Sequence, residues 1–324
     1  MKKKVLIDSD TGLDDAMAFV HGMLSDEVEI IGVTSAFGNA EMIDCAYHAL
    51  EIIELMGKKI PVVKGATDPL ISGCGPAAHV HGQYGRGPLG KQDRESEITP
   101  GYAAIWMLEQ IRMYGDELVI VAMGRLTNIA IATRIDPELM RTVGQIYWLG
   151  GAITASGNTS PVAEANVDGD AEAAKIVCTS KLPLTILTLD VSMNARISDE
   201  DVEKMKSVRH PGVQHLVKVL PYYIDYYETI YGIRACAGHV GLLLALVMDP
   251  TLIKKVHHLP VDVETRGELT RSMLVVDRRK LRALSEPDTS KDGGVRIVVD
   301  ADTDRYHEMF MNALLSADKT ASAV

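Results

Sequence analysis

The sequence predicts an α/β protein with a mostly parallel central sheet flanked by helices. Two observations carry this. Short β-rich runs alternate with longer helical patterns over much of the chain, and several strand runs are apolar without interruption. A strand apolar on both faces is buried on both faces, and in a β-then-α alternation that means a parallel sheet covered by helices.

Taken in order, "KVLIDSD" reads as a strand and "LDDAMAFVHGMLS" as a helix. "VEIIGVTSAFG" is rich in β-branched residues and precedes the helical "EMIDCAYHALEIIELMG". "IPVVKG" is a short strand, followed by a glycine-rich loop over residues 72–90. Next come the helix "YAAIWMLEQIRMYG", the strand "ELVIVAMG", the helix "TNIAIATRI" and the strand "GQIYWLGG". The helix "AEAAKIVCTS" and the strand "LTILTLDVS" continue the alternation. Further on, "VDVETRGELTRSMLVVDRRK" reads as a hairpin around Gly267, and "KDGGVRIVVDADTDRYHEMFMNALLS" as a strand and an amphipathic helix. The tail "ADKTASAV" is expected to fray. With no internal repeat and no low-complexity linker, the reading is one domain over residues 1–324.

Net charge is −11 and the sequence pI about 5.4, which argues against nucleic-acid backbones and anionic membranes as partners and leaves a small neutral molecule open. The four cysteines are scattered, without a CxxC pair, as expected of thiols in a reducing compartment. The apolar run after "MKKK" is too short for a signal peptide, and "HVGLLLALVM" reads as a core helix rather than a membrane span. A cytoplasmic location is expected.

Chemistry concentrates at the first strand. Asp8, Asp10, Asp14 and Asp15 fall within eight positions at its carboxyl end, where open α/β sheets bind ligands. Like charges this close need compensation. Three readings compete: a hard-cation or polyol site, helix capping with a solvated acidic loop, and phosphoaspartate chemistry. Capping occupies one or two aspartates but not easily four, and a second acidic pair opening a helix does not suit a phosphoaspartate motif.

"DSDTGLDDAMA" resembles the "DTDPGxDDAxA" signature of the inosine-uridine-type nucleoside hydrolases. Further blocks resemble that family in the same order: "SAFGNA", "HVHGQYGRG", "GRLTNIAIA", "WLGGAITASGNTSPVAEANVDGDAEAA", "LTLDVS" and "VDVETRGELTR". The resemblance implies a Rossmann-like open sheet, the nucleoside hydrolase fold, and hydrolysis of a ribonucleoside to ribose and free base. It implies a calcium ion held by Asp10, Asp15 and the main-chain carbonyl of Thr127, with Asp10 also taking the proton of the attacking water. It places Asp14, Asn39, Asn158, Glu164 and Asn166 around the ribose and His81 in the substrate pocket. His239 matches a histidine near the leaving base in the purine-accepting branch, a candidate acid. A homodimer or homotetramer is implied as well.

The chain also departs from the family pattern. Val240 stands where the family has a calcium-binding aspartate, with Gly241 in place of proline. Valine ligates no cation, so calcium binding is expected to weaken unless another acid, for which Asp190 is a candidate, fills the gap. Arg125 replaces proline, Tyr84 an aspartate and His48 an asparagine. Tyr222, Tyr223, Tyr226, Tyr227 and Tyr231 fall where the family places a mobile wall over the base. His79 and His81 read as pocket or loop residues rather than a metal pair. Beside the hydrolase stand two alternatives: a ligand-binding protein that keeps the pocket without catalysis, and a hydrolase of another ribosyl compound.

Overall fold

A computed structural model describes residues 2–281 and 294–318. Twelve strands are present among the described residues: β1 (Lys3–Ser9), β2 (Val28–Ser35), β3 (Val62–Val63), β4 (Leu118–Ala122), β5 (Gln145–Leu149), β6 (Leu184–Leu187), β7 (Arg196–Ser198), β8 (Ala235–Ala237), β9 (Ile253–Leu259), β10 (Asp262–Val263), β11 (Leu274–Val275) and β12 (Val295–Ala301). Eight of them form the central sheet, in the order β3-β2-β1-β4-β5-β6-β12-β9. All its pairings are parallel except β12 with β9, which makes β9 an antiparallel edge.

The sheet is buried on both sides because alternate residues of its strands feed two apolar layers. Val5 and Ile7 of β1 enter one layer and Leu6 the other. Tyr147 and Leu149 of β5 join the first, Ile146 and Trp148 the second. Helices Leu13–Leu24, Met42–Leu55, Pro211–Tyr231, His239–Met248 and Thr303–Leu315 contribute to the first layer. Ala103–Tyr114, Thr127–Ile135 and Ala171–Thr179 cover the second. Helix His239–Met248 is buried over its whole length, the behaviour of a helix apolar on all faces. No helix among the described residues is long and apolar enough to cross a membrane.

β1 pairs on one side with β2 and on the other with β4, so the strand order reverses there. Chains leaving two neighbouring strands in opposite directions open a crevice at their carboxyl ends. The acidic loop after β1, the Phe37–Asn39 loop after β2 and the Met123–Thr127 segment after β4 border that crevice.

Several sequence expectations change in detail. "LTILTLDVS" is a strand only to Leu187; Leu189–Ser192 forms a helical turn. The hairpin around Gly267 is present, but its paired strands are two residues each. The antiparallel edge β9 and the small β7–β8 ribbon have no counterpart in the sequence reading. The last six residues of the tail lie outside the described residues.

Packing of the buried helix is tight enough to test. Leu244 is fully buried, and a Cβ on Gly22 would lie 2.6 Å from its Cδ2. Leu244→Ala is expected to lower unfolding free energy by about 2–5 kcal/mol, read from urea denaturation midpoints at an unchanged slope.

Candidate active site

The four aspartates do not act together. Asp8 accepts hydrogen bonds from Thr34 Oγ1 at 2.6 Å and Asn128 Nδ2 at 2.8 Å. It stitches β1 to β2 and to helix Thr127–Ile135, and it does not line the pocket. Burial lifts its carboxyl to about 6 against the pull of those two bonds. The other three line one pocket with Asn39, His81, Asn158, Glu164, Asn166 and His239.

Asp15 lies in the first turn of helix Leu13–Leu24 and accepts from Ser9 Oγ at 2.7 Å, Gly12 N at 2.9 Å and Asn39 Nδ2 at 3.0 Å. Asp10 accepts from Asn39 N at 3.0 Å. Its carboxylate is wedged between two glycines: a Cβ at Gly38 would lie 1.8 Å from one of its oxygens, and one at Gly124 would lie 2.4 Å from the other. Gly12 clears space in the same way, since a Cβ there would meet Asn39 Nδ2 at 2.5 Å and His81 Nδ1 at 2.6 Å. Asp14 keeps one buried oxygen, Oδ1, with no hydrogen-bond partner.

Burial, and after it the charge of Asp15, pushes Asp10 up to about 8, while Arg125 pulls it back. Asp14 rises well above the usual carboxylate range through burial and then through Asp15 and Asp10. Asp15 is raised by burial and restrained by its hydrogen bonds from the Gly12 N–H and the Ser9 hydroxyl. These upward shifts remain after the hydrogen bonds and Arg125 have acted, so ionising all three carboxylates together calls for a further partner of positive charge. Three buried carboxylates, with an orphaned oxygen among them, make an all-oxygen donor set that fits a hard divalent cation.

The loop after β5 builds the next wall. Glu164 caps helix Ala165–Gly169, accepting from Asn166 N and Val167 N as well as from Gly151 N. Burial raises its carboxyl. Asn166 Nδ2 donates to Met123 O and Leu149 O, so its amide spans the ends of β4 and β5. Asn158 Oδ1 accepts from Ala165 N.

The opposite wall is aromatic. Helix Pro211–Tyr231 presents Tyr223, Tyr226, Tyr227 and Tyr231 at three- and four-residue spacings, and all four line the pocket. Tyr222 does not. His81 Nδ1 accepts the Leu13 N–H at 3.1 Å, which leaves the proton on Nε2. Its ring packs against Tyr223 with centroids 5.4 Å apart. His239 Nδ1 is 2.8 Å from Ser192 Oγ and its Nε2 is 2.7 Å from the Tyr227 hydroxyl. Burial lowers His239 to about 4 and His81 to about 3, so both are neutral at pH 7. Neither the Ser192 nor the Tyr227 partnership has a signal in sequence spacing; His79, read as a pocket or loop residue, does line the pocket.

Thr127 is buried but does not line the pocket. Its hydroxyl donates to Asp170, so any part in holding a cation falls to its main chain. Asp190 is no substitute ligand, because its carboxylate accepts the N–H groups of Ile153, Thr154 and Ala155. Val240 is buried in the apolar layer and does not line the pocket. Tyr84 is half-buried and also lies off the pocket. Arg125 is buried with its guanidinium over Phe37, 4.5 Å from the ring centre. Its Nη2 donates to Gly75 O, and its Nη1 has no partner.

A carboxylate-rich floor under an aromatic wall, at the switch point of a parallel sheet, describes an enzyme pocket for a hydroxyl-rich ligand with a flat ring. The family profile described as "Inosine-uridine preferring nucleoside hydrolase" matches residues 5–308. A probable uridine nucleosidase of Arabidopsis thaliana is 32% identical over 319 residues, 98% of each chain. A plant nucleoside hydrolase structure superposes with a TM-score of 0.88 at 28% identity, over 98% of this chain and 100% of that one. A purine-preferring ribonucleoside hydrolase from Gardnerella vaginalis matches with the same score, identity and coverage. The chain belongs to the inosine-uridine preferring nucleoside hydrolase family. Its reaction class is hydrolysis of the N-glycosidic bond of a ribonucleoside to give ribose and free base.

The raised carboxyls set a pH dependence. Asp10 has a folded pKa near 8 against 3.8 for the free group, so the protonated form favours the fold. That stability is complete below about pH 4 and is lost as pH rises through about 8. Scanning calorimetry of chelator-treated protein is expected to show Tm falling between these limits, and an added hard divalent cation is expected to restore more Tm at the alkaline end. A flat profile would mean that the pocket carboxylates do not hold protons.

Proposed function

We propose that the pocket hydrolyses a ribonucleoside with Asp10 as the base that takes the proton of the attacking water. The observation that carries this reading is the convergence of three buried carboxylates, Asp10, Asp14 and Asp15, on one pocket. Asp10 and Asp15, with the main chain of Thr127, are the residues we assign to a calcium ion. Bound there, calcium would supply Lewis-acid activation of water and positive charge to hold sugar hydroxyls.

In this reading the water oxygen attacks the anomeric carbon, the C–N bond to the base breaks, and the released water proton goes to Asp10. The sugar passes through an oxocarbenium-like state, which Asp14, Glu164 and the amide oxygens of Asn39, Asn158 and Asn166 favour by their negative charge and dipoles. Asp14, with its free oxygen, accepts a ribose hydroxyl. The leaving base stacks on the tyrosine wall and takes a proton from the Tyr227 hydroxyl, whose oxygen His239, held by Ser192, supports by hydrogen bonding; after product leaves, Asp10 releases its proton to solvent and Tyr227 regains one from solvent. His81, its proton held on Nε2, donates to the base or to the sugar.

The substrate is a free ribonucleoside, ordinary or modified, and we assign the protein to base salvage in the cytoplasm, as a homodimer or homotetramer of one-domain chains. The related proteins include one named for uridine and one named as purine-preferring, so the first test is a panel that holds both kinds of base. Release of reducing sugar is expected from at least one member and is expected to be abolished by chelator. Asp10→Asn is expected to lower kcat by about 10²–10⁴-fold. A folded wild-type protein that binds nucleosides and returns them intact would overturn catalysis.

Val240 supplies a second test. It is 1% exposed, so an aspartate there would be a buried charge with a strong demand for a cation. Val240→Asp is expected to lower the Tm of chelated protein and to tighten calcium binding by calorimetry. Unchanged calcium affinity would detach position 240 from the cation site.

A further inference from the structure

Helices Met42–Leu55 and Pro211–Tyr231 meet at a second cluster of titratable side chains: His48 and Glu51, one turn apart, and His215. None of the three lines the acidic pocket. One donor atom from each lies within 4.8 Å of the other two. The Nε2 atoms of the two imidazoles are 3.0 Å apart. His48 Nδ1 is 3.2 Å from the carbonyl oxygen of Thr11, which only accepts. The proton of His48 therefore sits on Nδ1, and its Nε2 presents a lone pair toward His215.

Two imidazole nitrogens on one tetrahedral zinc ion, at bond lengths of about 2.05 Å, stand about 3.3 Å apart. The observed spacing needs only a small opening to accept an ion. Both rings are buried, and burial lowers both, His215 to about 4, so protons do not compete for the lone pairs at pH 7. Glu51 is oriented by Arg86, whose Nε donates to Oε2 at 2.9 Å and whose Nη2 donates to Oε1 at 2.6 Å. A carboxylate has about four lone-pair sites, so the guanidinium aims Glu51 without exhausting it. The Glu51 charge in turn offsets Arg86, which would otherwise repel a cation. A carbonyl behind the histidine and a guanidinium holding the carboxylate are the outer supports that metal ligands use.

We propose that His48, Glu51 and His215 form a binding site for a borderline divalent transition ion, with Zn²⁺ the natural probe. The nitrogen-rich set suits zinc, whereas the all-oxygen pocket suits calcium, so the two places sort metals by ligand hardness. On binding, the ion takes the place of the hydrogen bond between the rings, and His215 changes tautomer, its proton passing from Nε2 to Nδ1 so that both ligands stay neutral imidazoles. The bound ion joins the helix that carries the tyrosine wall to helix Met42–Leu55 and, through Thr11, to the aspartate loop. This site is independent of the hydrolytic reading, and its test reads metal binding alone.

The experiment is calorimetric titration of chelator-stripped protein with Zn²⁺ in saturating calcium, with Tm and the visible spectrum of the Co²⁺ form recorded alongside. One Zn²⁺ per chain is expected, with a raised Tm and tetrahedral Co²⁺ bands. His48→Asn and His215→Gln are each expected to abolish all three signals. Glu51→Gln keeps both rings and is expected to weaken Zn²⁺ by about 10–100-fold, which decides the matter should a histidine variant fail to fold. Absence of Zn²⁺ binding by the wild type would overturn the proposal. So would wild-type affinity in Glu51→Gln or in a folded histidine variant.

Discussion

Burial of three carboxylates at the carboxyl end of β1 is the constraint around which the rest of this structure is arranged. Asp10, Asp14 and Asp15 sit where the sheet order reverses, each almost without solvent contact. Their neighbours are residues that tolerate or relieve that charge. Gly12, Gly38 and Gly124 have no side chain because any Cβ would strike Asn39, His81 or the Asp10 carboxylate. Ser9, Gly12 and Asn39 supply donors to Asp15. The closeness of the loops after β1, β2 and β4 is in this sense an electrostatic requirement as much as a packing result.

Arg125 belongs to the same charge balance: it is a buried cation whose charge pulls the Asp10 carboxyl back down. Arg125 reaches its place because Gly169 leaves room: a Cβ there would lie 2.0 Å from the Arg125 Nε. Two unit charges 4 Å apart interact by about 4 kcal/mol at an effective dielectric near 20, so even a more distant guanidinium shifts the ease with which Asp10 ionises. The Arg125 charge makes the surroundings of Asp10 less negative. The site keeps enough acid to want a cation and carries an internal positive charge that relieves part of the need.

The aromatic wall and the acidic floor are physically joined. Helix Pro211–Tyr231 presents tyrosines to the pocket and, eight residues before Tyr223, offers His215 to His48, which holds the Thr11 carbonyl between Asp10 and Gly12. His81 makes a second link, accepting from Leu13 at the start of the aspartate helix while its tilted ring packs against Tyr223. Displacement of the wall helix is therefore felt at the aspartate loop through two histidines.

The alternation of apolar strands and helical runs determined the parallel sheet, because burial on both faces leaves a pattern within each segment. Adjacent motifs such as "DSDTGLDD" and "AEAN" determined which loops carry the chemistry, since their residues are neighbours in the chain as well as in space. Four aspartates close in sequence still could not be told apart. Asp8 turned to Thr34 and Asn128, Asp190 to the backbone of residues 153–155, and only the fold revealed either partnership. The pairing of His239 with Ser192 and Tyr227, the meeting of His48 with His215 and the antiparallel edge β9 were likewise decided by tertiary structure. A periodic pattern records which side of an element is buried. It holds no record of which distant side chain arrives on that side, because that depends on how whole helices and strands pack.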